Sequence, residues 1–211
     1  DRLINYQNYS LSFKLLDGVG YWDPDIIPED YHIFFKSFYK TRGRVEVDAI
    51  YLPLYADAPL STSLIKTIKS QYDQYQRWAW GVSDDPYVIK NYFLTPGISF
   101  FNKTTRILGL IKEHFLWPVN WFIITIGITF PSFLNPAFSR SVIGYNLPRI
   151  SSIILTLALS FLAIMLILEA KHKPPRPETF PRWRAILSPL EFILMPVAGF
   201  IFSALPGLDA H

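Results

Sequence analysis

The sequence predicts a helix-dominated α/β domain, followed by an amphipathic helix at a membrane surface and about three transmembrane helices. Phe115–Ser139 and Ile150–Leu168 contain 25 and 19 consecutive residues without a charge, and stretches of that length cross a bilayer. A third apolar stretch, Ala185–Leu208, is interrupted by Glu191 and then runs 17 residues without a charge. The first 110 residues mix charges with many Tyr and Phe side chains, which is typical of a portion of a soluble domain.

The composition excludes several classes of protein. Of 211 residues, 50% are hydrophobic and 18% are charged, and 20 Lys and Arg against 17 Asp and Glu give a net charge of +3. Such an apolar chain of low net charge is neither disordered nor a nucleic-acid coat. Because the chain has no cysteine, it has no disulfide framework, Cys-ligated metal or thiol nucleophile.

Helix signals divide the soluble region into three helices and one strand. Ser10–Asp17 is predicted to be a short helix, a second helix opens at Pro28 and runs to about Lys40, and a third covers Ser63 to about Trp80. Over residues 45–51 apolar side chains alternate with polar ones except at Ile50, a partly amphipathic pattern that predicts a strand. The soluble region is therefore predicted to be mostly helical with one strand.

Lys and Arg counts predict the orientation in the membrane. The loop between the first two spans carries Arg140 and Arg149, whereas the loop 169–184 carries five basic residues. The more basic loop lies on the cytoplasmic side, so the soluble region is predicted to be cytoplasmic in a multi-pass protein of the cell membrane. The five residues of loop 169–184 are Lys171, Lys173, Arg176, Arg182 and Arg184.

Residues 98–115 are predicted to form an amphipathic helix that lies along the membrane surface. Basic residues alternate there with apolar ones, the pattern of an interfacial helix. The apolar residues are Ile98, Phe101, Ile107, Leu108, Ile111 and Phe115.

Two clusters have residue types that suit catalysis or binding. Glu29 and Asp30 follow Pro28 in the first turn of a predicted helix, where the helix dipole favours carboxylates and one facing a cleft can act as a general base. Gln74, Arg77 and Trp78 are spaced i, i+3, i+4 and share a helix face, and Arg suits a diphosphate. Each cluster also has an ordinary explanation: acidic residues are common at helix starts, and a solvated Arg beside a core Trp is common too.

A third cluster, Asp23–Pro24–Asp25, has the D-x-D spacing of some metal sites. Its Pro and its place in a loop favour a turn or a helix cap instead. The four histidines show no metal-ligand spacing; they are His32, His114, His172 and His211.

The combination resembles a family. An E-D pair, a Q-x-x-R-W about 45 residues later, an interfacial helix and membrane spans resemble the C-terminal half of membrane-bound family 2 glycosyltransferases, such as cellulose, hyaluronan and chitin synthases. The segment 19–25, Val-Gly-Tyr-Trp-Asp-Pro-Asp, is similar to the segment that precedes their T-E-D motif, which here reads Pro28-Glu29-Asp30. The resemblance runs from about Asn8 through the third span.

The resemblance implies a role for each residue of the two motifs. Asp30 would be the base that takes the proton from the acceptor hydroxyl, with Glu29 as its motif neighbour. Gln74 and Arg77 would hold the diphosphate of a nucleotide-diphospho-sugar donor, and Trp78 would stack on the acceptor sugar. The reaction would be an inverting hexosyl transfer to a polysaccharide or lipid-linked acceptor, with membrane lipids as further partners and no nucleic acid.

The resemblance also implies that a portion of the enzyme is absent from this chain. The chain would be the acceptor-side half of a GT-A-type domain, without the donor-binding half and inactive alone. A divalent metal, Mg or Mn, is expected in the full-length enzyme, with its ligands outside this chain, because Asp23–Pro24–Asp25 lies too close to Asp30 to be the family's D-x-D.

Two alternatives to a transferase that makes a polysaccharide remain open. One alternative is a membrane-anchored scaffold or regulatory subunit, in which Gln74, Arg77 and Trp78 would tolerate replacement. The other is a transferase that moves a single sugar onto a polyprenyl-phosphate or diacylglycerol.

The predicted organisation has three regions. They are the C-terminal portion of the transferase domain at 1–97, the interfacial helix at 98–115 and the membrane region at 116–208, with spans at about 116–136, 150–168 and 186–207.

Overall fold

The computed structural model describes residues 3–5, 8–52, 54, 59–172, 181, 183 and 188–211. Contacts divide the chain into two units, Asp1–Pro118 with Leu205–His211, and Val119–Ala204. Helices α1 to α5 are Phe13–Val19, Glu29–Lys40, Leu64–Ala79, Asp85–Leu94 and Phe100–Thr125, and a 3-10 turn, Trp80–Asp84, joins α3 to α4. Helices α6 to α8 are Phe130–Leu134, Pro136–Ser139 and Val142–His172. The C-terminal segment consists of a 3-10 stretch Ser188–Leu194, α9 Met195–Gly199, a π-helical turn Phe200–Ala204 and α10 Leu205–Ala210.

Local signals set the ends of the helices in the first unit. The Ser12 side chain caps α1 by accepting from the backbone N–H of Leu15 at 3.2 Å. Gly20 ends the same helix in the left-handed region, at φ 84°, where glycine carries no Cβ penalty. Ser63 caps α3 by accepting from the N–H of Lys66 at 3.3 Å. The three predicted helices are confirmed, with small shifts of their ends.

Helix α2 lies at the centre of the first unit. It buries residues on most of its circumference, and Phe35 and Phe38 have 1% and 0% of their surface exposed. Val88 of α4 and Leu110 of α5 are buried against the same aromatic cluster. Because burial of each such side chain contributes about 1.5–3 kcal/mol, these contacts fix the position of α2 in the unit.

The predicted strand at residues 45–51 is wrong. Residues 44–52 have no regular secondary structure, and no strand occurs in the portion of the chain that the structure describes. Val45 and Val47 pack partly against the core cluster, which accounts for the alternation. A strand also needs a hydrogen-bonding partner, and the described residues supply none, so the described fold is helical.

The first predicted span, 116–136, is not one continuous helix. Helix α5 ends at Thr125, turns follow at 126–129, and α6 and α7 are short. Pro131 and Pro136 lie at the starts of these short helices, where the missing proline N–H is tolerated, whereas in a helix interior it breaks the helix. Length and hydropathy alone did not reveal these interruptions.

Two helices in the described residues are long and apolar enough to cross a membrane. Val142–His172 contains the predicted span 150–168 and has a mean hydropathy of 2.6, and Phe192–Ala210 overlaps the predicted span 186–207 and has a mean hydropathy of 1.7. The apolar window of Val142–His172 is not buried within the protein at all, unlike the core helix of a soluble protein. Both are therefore candidate membrane spans.

The residues that carried the orientation argument are mostly outside the described ranges. Lys171 lies in the last turn of α8. Lys173, Arg176, Arg182 and Arg184 fall outside the described residues. The orientation stays a prediction.

The predicted interfacial helix corresponds to the first half of α5, and its apolar residues have two different environments. Ile98, just before α5, and Ile107 are buried against the core. Phe101, Leu108 and Phe115 are 72%, 59% and 63% exposed, and their spacing of seven places them on one helix face. Of the predicted apolar residues, this exposed stripe is the part available to a membrane surface.

Candidate active site

The Glu29–Asp30 pair lies at the start of α2, as predicted. Pro28 is buried, Glu29 is exposed and Asp30 is half-buried. Asp30 Oδ1 accepts from the backbone N–H of Tyr31 at 2.8 Å, and the Asn5 side-chain amide donates to the Asp30 carbonyl. The Asp30 carboxylate is thus held in the positive end of the helix dipole while some of its surface stays accessible.

The Gln74, Arg77 and Trp78 group lies in the last turns of α3. Gln74 is half-buried, and Arg77 and Trp78 are exposed. The Trp78 ring meets the Tyr75 ring edge to face at 5.0 Å, which leaves 42% of Trp78 exposed. Within the described ranges Arg77 forms no ion pair. A free guanidinium beside an exposed indole suits an anionic ligand attached to a sugar.

Two contacts join the first turn of α2 to the turn that follows Trp78. The Tyr31 hydroxyl donates to the carbonyl of Gly81. The His32 Nδ1 atom lies 2.7 Å from Asp84 Oδ1. Tyr31 and His32 directly follow Asp30, so the structure places the segment just after Asp30 beside the segment just after Trp78.

His32 is the centre of a buried charge network. Its Nε2 atom lies 2.9 Å from Asp23 Oδ2, and the Lys36 ammonium donates to both Asp23 carboxylate oxygens at 2.9 and 2.8 Å. Burial opposes the charged imidazolium, but the hydrogen bonds and charges of Asp84 and Asp23 outweigh it and raise the pKa of His32. Burial raises the pKa of Asp84 against the opposing effect of His32. The hydrogen bond from Lys36 lowers the pKa of Asp23, burial opposes this shift, and His32 adds to it.

A second histidine pairs with the neighbouring aspartate. His114 of α5 is 8% exposed, and its Nδ1 atom lies 2.7 Å from Asp85 Oδ1. A Cβ added at Gly81 would lie 3.1 Å from the Tyr31 hydroxyl and 3.2 Å from His114 Nε2. Tyr31 and His114 therefore approach the backbone of Gly81 so closely that a side chain there would have to displace one of them.

The other side of α3 contacts the C-terminal helix of the same unit. Gln76 donates its side-chain amide to Asp209 Oδ2 at 2.7 Å, and the Tyr72 hydroxyl lies 3.4 Å from the same oxygen. Burial and the Asp209 carboxylate raise the pKa of Tyr72. These contacts hold α3 on the face that carries its buried residue Ala79, away from Gln74 and Trp78.

The described residues do not fit a divalent metal. They contain no group of three or more His, Asp or Glu side chains placed to hold one. Asp23 is the first acid of the D-x-D spacing. Its half-buried carboxylate binds Lys36 and His32 and is therefore already paired. We therefore derive no step through a metal.

The fold and the site define a class of protein: a helical domain with a carboxylate pair and an Arg–Trp pair on adjoining segments, joined to candidate membrane spans. The sequence model described as glycosyl transferase family group 2 matches residues 7–168. The chain belongs to this family and is a glycosyltransferase, with a nucleotide-sugar donor and an acceptor in general. Searches of curated proteins and of solved structures found no match.

Sequence reasoning missed four residues of the site: His32, Asp84, Asp85 and His114. The histidines have no metal-ligand spacing, so the sequence pattern does not single them out. The available signal was their position, since His32 lies two residues after Asp30 and the two aspartates follow the Gln74–Trp78 segment by a few residues. Buried charged residues beside a motif usually pair with one another, and they do so here.

Proposed function

We propose that the protein transfers a sugar from a nucleotide-diphospho-sugar to a polysaccharide or lipid-linked acceptor at the cytoplasmic face of a membrane, with inversion at the anomeric carbon. The observation that carries the proposal is the pair of contacts, Tyr31 with Gly81 and His32 with Asp84, that join the segment after Asp30 to the segment after Trp78. A base and a diphosphate-binding cation must lie in one site for such a transfer.

In this proposal Asp30 is the general base. It takes the proton of the acceptor hydroxyl while that oxygen forms a bond to the anomeric carbon and the bond from this carbon to the diphosphate oxygen breaks. Its half-buried position at the helix start leaves the carboxylate reachable by an acceptor. Glu29 is exposed and adds negative charge beside the base.

Arg77 and Gln74 would hold the diphosphate, and Trp78 would stack on the acceptor sugar. The Arg77 guanidinium has no anionic partner in the described ranges, so its charge is available to offset the charge that develops on the departing nucleoside diphosphate. The exposed Trp78 ring presents an apolar surface at the same end of α3.

The proposal also covers the organisation of the domain and its position at the membrane. The described helices would be the acceptor-side half of a GT-A-type α/β domain, and the donor-binding half with a divalent metal would lie upstream in the full-length protein. The exposed stripe of Phe101, Leu108 and Phe115 would rest on the membrane surface. A lipid-linked acceptor, already at that surface, could reach the site from there.

Transfer from radiolabelled nucleotide sugars tests the proposal. The full-length protein that carries this chain is expressed in membranes and given a panel of donors, as wild type, Asp30→Asn and Arg77→Ala. The expected result is incorporation that falls about 10²-fold or more in Asp30→Asn and falls strongly in Arg77→Ala. Extraction of the product separates a polymer from a lipid carrying one sugar.

Two matched variants serve as controls. Asp25→Asn changes an exposed acid a few residues before Asp30, and Lys66→Ala removes an exposed cation from the same helix as Arg77; both should leave incorporation unchanged. Wild-type membranes that transfer no sugar from any donor, or site variants as active as their controls, would contradict the proposal and favour the scaffold alternative.

A further inference from the structure

The D-x-D spacing and the buried His32 belong to one arrangement that the proposed mechanism does not use. Asp23 comes from the loop after α1, His32 from α2 and Asp84 from the 3-10 turn after α3. His32 lies between the two acids, with Nε2 2.9 Å from Asp23 and Nδ1 2.7 Å from Asp84. One side chain therefore links three segments around the candidate site.

Both ring nitrogens of His32 face a carboxylate oxygen. An ionised carboxylate only accepts hydrogen bonds, so each nitrogen must carry a proton to make its bond. Neutral imidazole has a single N–H and can make only one of the two bonds. With Asp23 and Asp84 both ionised, the complete bridge therefore needs the imidazolium form.

Asp84 depends on this bridge. It is 1% exposed, its Oδ1 atom is held by His32, and its Oδ2 atom has no hydrogen-bond partner in the described portion of the chain. A buried carboxylate requires a compensating charge and hydrogen bonds. His32 is the side chain that supplies both among the described residues.

We propose that His32, held as an imidazolium between Asp23 and Asp84, is a positioning residue that fixes the distance from Asp30 to Arg77 and Trp78 during glycosyl transfer. The inference rests on the proposed function. His32 is two residues after Asp30 on the rigid helix α2, and Asp84 is six residues after Trp78 at the far end of the 3-10 turn. A change at the bridge shifts the base relative to the diphosphate-binding side, and a displacement of about 1 Å can cost 10²-fold in rate.

The bridge is also sensitive to pH. Loss of one proton from His32 removes one of its two bonds, so the arrangement holds below the raised pKa of His32 and loosens as the pH rises through it. The groups around the His32 ring are Asp23 of the loop, Lys36 of α2, Asp84 of the turn and Tyr87 of α4, with Asp85 and His114 next to Asp84. Burial and Asp84 raise the pKa of Tyr87 to about 12, so Tyr87 stays neutral in the relevant range.

Steady-state kinetics of the full-length protein in membranes test the inference. The variants are His32→Gln, which keeps a side-chain amide without a charge, and Asp23→Asn, which breaks only the half-exposed end of the bridge. We expect His32→Gln to lower kcat about 10-fold or more, with the KM values for donor and acceptor little changed. We expect Asp23→Asn to lower kcat in the same direction by a smaller factor.

The pH profile separates positioning from a purely structural role. Wild-type kcat should fall on the alkaline side as His32 loses its proton, and His32→Gln should lack this fall. The matched control is Lys69→Met, which breaks the exposed Lys69–Asp73 pair of α3 and should keep the wild-type kcat and profile. All rates are expressed per folded molecule, measured as the monodisperse fraction after detergent extraction.

Each outcome has a defined meaning. Wild-type kcat and pH profile in Asp23→Asn and His32→Gln would overturn the positioning role while leaving the proposed function intact. If His32→Gln does not fold, Asp23→Asn decides, because Asp23 is half-exposed and Lys36 keeps its hydrogen bond to the Tyr21 carbonyl. Absence of sugar transfer by the wild type would overturn the proposed function, and the inference with it.

Discussion

Asp84 illustrates how individual residues shape the candidate site. Its carboxylate is almost fully buried beside the end of the Q-x-x-R-W helix, and burial raises its pKa. His32 carries the compensating charge, and Asp23 and Lys36 extend the network towards the surface. The network thus links the stability of the site to the protonation of one histidine.

This linkage predicts how stability depends on pH. Because the pKa of His32 is raised in the folded state, its contribution is complete below the unfolded pKa of about 6.5 and is lost as the pH rises through the folded value. Asp84, whose pKa is also raised, acts in the same direction at lower pH. The free energy of unfolding in detergent should therefore decline as the pH rises above about 6.5, with a slope of at most about 1.4 kcal/mol per pH unit.

Unfolding followed by tryptophan fluorescence at several pH values measures this decline. His32→Gln should be less stable than wild type at pH 6 and should show no decline of this origin. A wild-type stability that stays constant or increases between pH 6 and 9 would contradict the charged bridge.

At the scale of single residues, the sequence predicted the positions of Glu29, Asp30, Gln74, Arg77 and Trp78 on the helices that carry them. Helix-start signals and i, i+4 spacing are local, so they can be read without a fold. The partners of His32 and His114 could not be predicted, because Asp84 and Asp85 are distant in sequence and reach them only through the packing of α2 and α5.

Helix α3 is the element on which the Arg77 side of the site depends. Its start is capped by Ser63, Gln76 in its last turn donates to Asp209, and its end runs into the 3-10 turn that Tyr31 and His32 bind. The helix has only one buried residue, Ala79. Its stability therefore relies on caps and polar contacts more than on core packing.

We expect Ser63→Ala to lower the free energy of unfolding by about 1 kcal/mol, the usual effect of losing a helix cap. The comparison variant is Thr62→Ala, because Thr62 is also exposed and lies one residue before the cap. Denaturant unfolding monitored by circular dichroism measures both. Equal stabilities of the two variants would show that the Ser63 hydroxyl does not cap α3.

At the scale of elements, helices with a local start signal, such as Pro28 before α2 and Ser63 before α3, were predictable and two other elements were not. Residues 45–51 have a strand pattern, but strand formation depends on a partner elsewhere in the chain. The stretch 116–136 is apolar enough to span a membrane, yet the turns at 126–129 and the prolines at 131 and 136 divide it.

At the scale of the whole molecule, apolar side chains occur in two settings, a buried cluster and an exposed helix. The first unit buries a cluster of aromatic side chains around α2, as a water-soluble domain does. Helix α8 instead leaves an apolar window wholly outside the protein interior. Such an exposed surface in water would lead to aggregation, and a bilayer is the environment that accommodates it.

Placing arginines in α8 tests that environment. Leu155→Arg with Leu159→Arg should reduce the fraction of protein that resists carbonate extraction from membranes, because each Arg near the centre of a membrane helix costs about 2.5–3.5 kcal/mol. Both leucines are exposed in the protein. The same positions changed to Phe should retain the wild-type fraction, and equal extraction of the Arg and Phe variants would argue against a spanning helix.

The most direct measurement of the central claim separates chemistry from donor binding at the two motifs. Donor affinity and single-turnover transfer rate are measured for the full-length wild type, Asp30→Asn and Arg77→Ala with the donor found in the panel. We predict that Asp30→Asn binds the donor normally and transfers about 10²-fold more slowly, whereas Arg77→Ala loses donor affinity. Normal transfer by Asp30→Asn, or unchanged donor binding and rate in Arg77→Ala, would contradict the assignment of base and diphosphate-binding residue to one site.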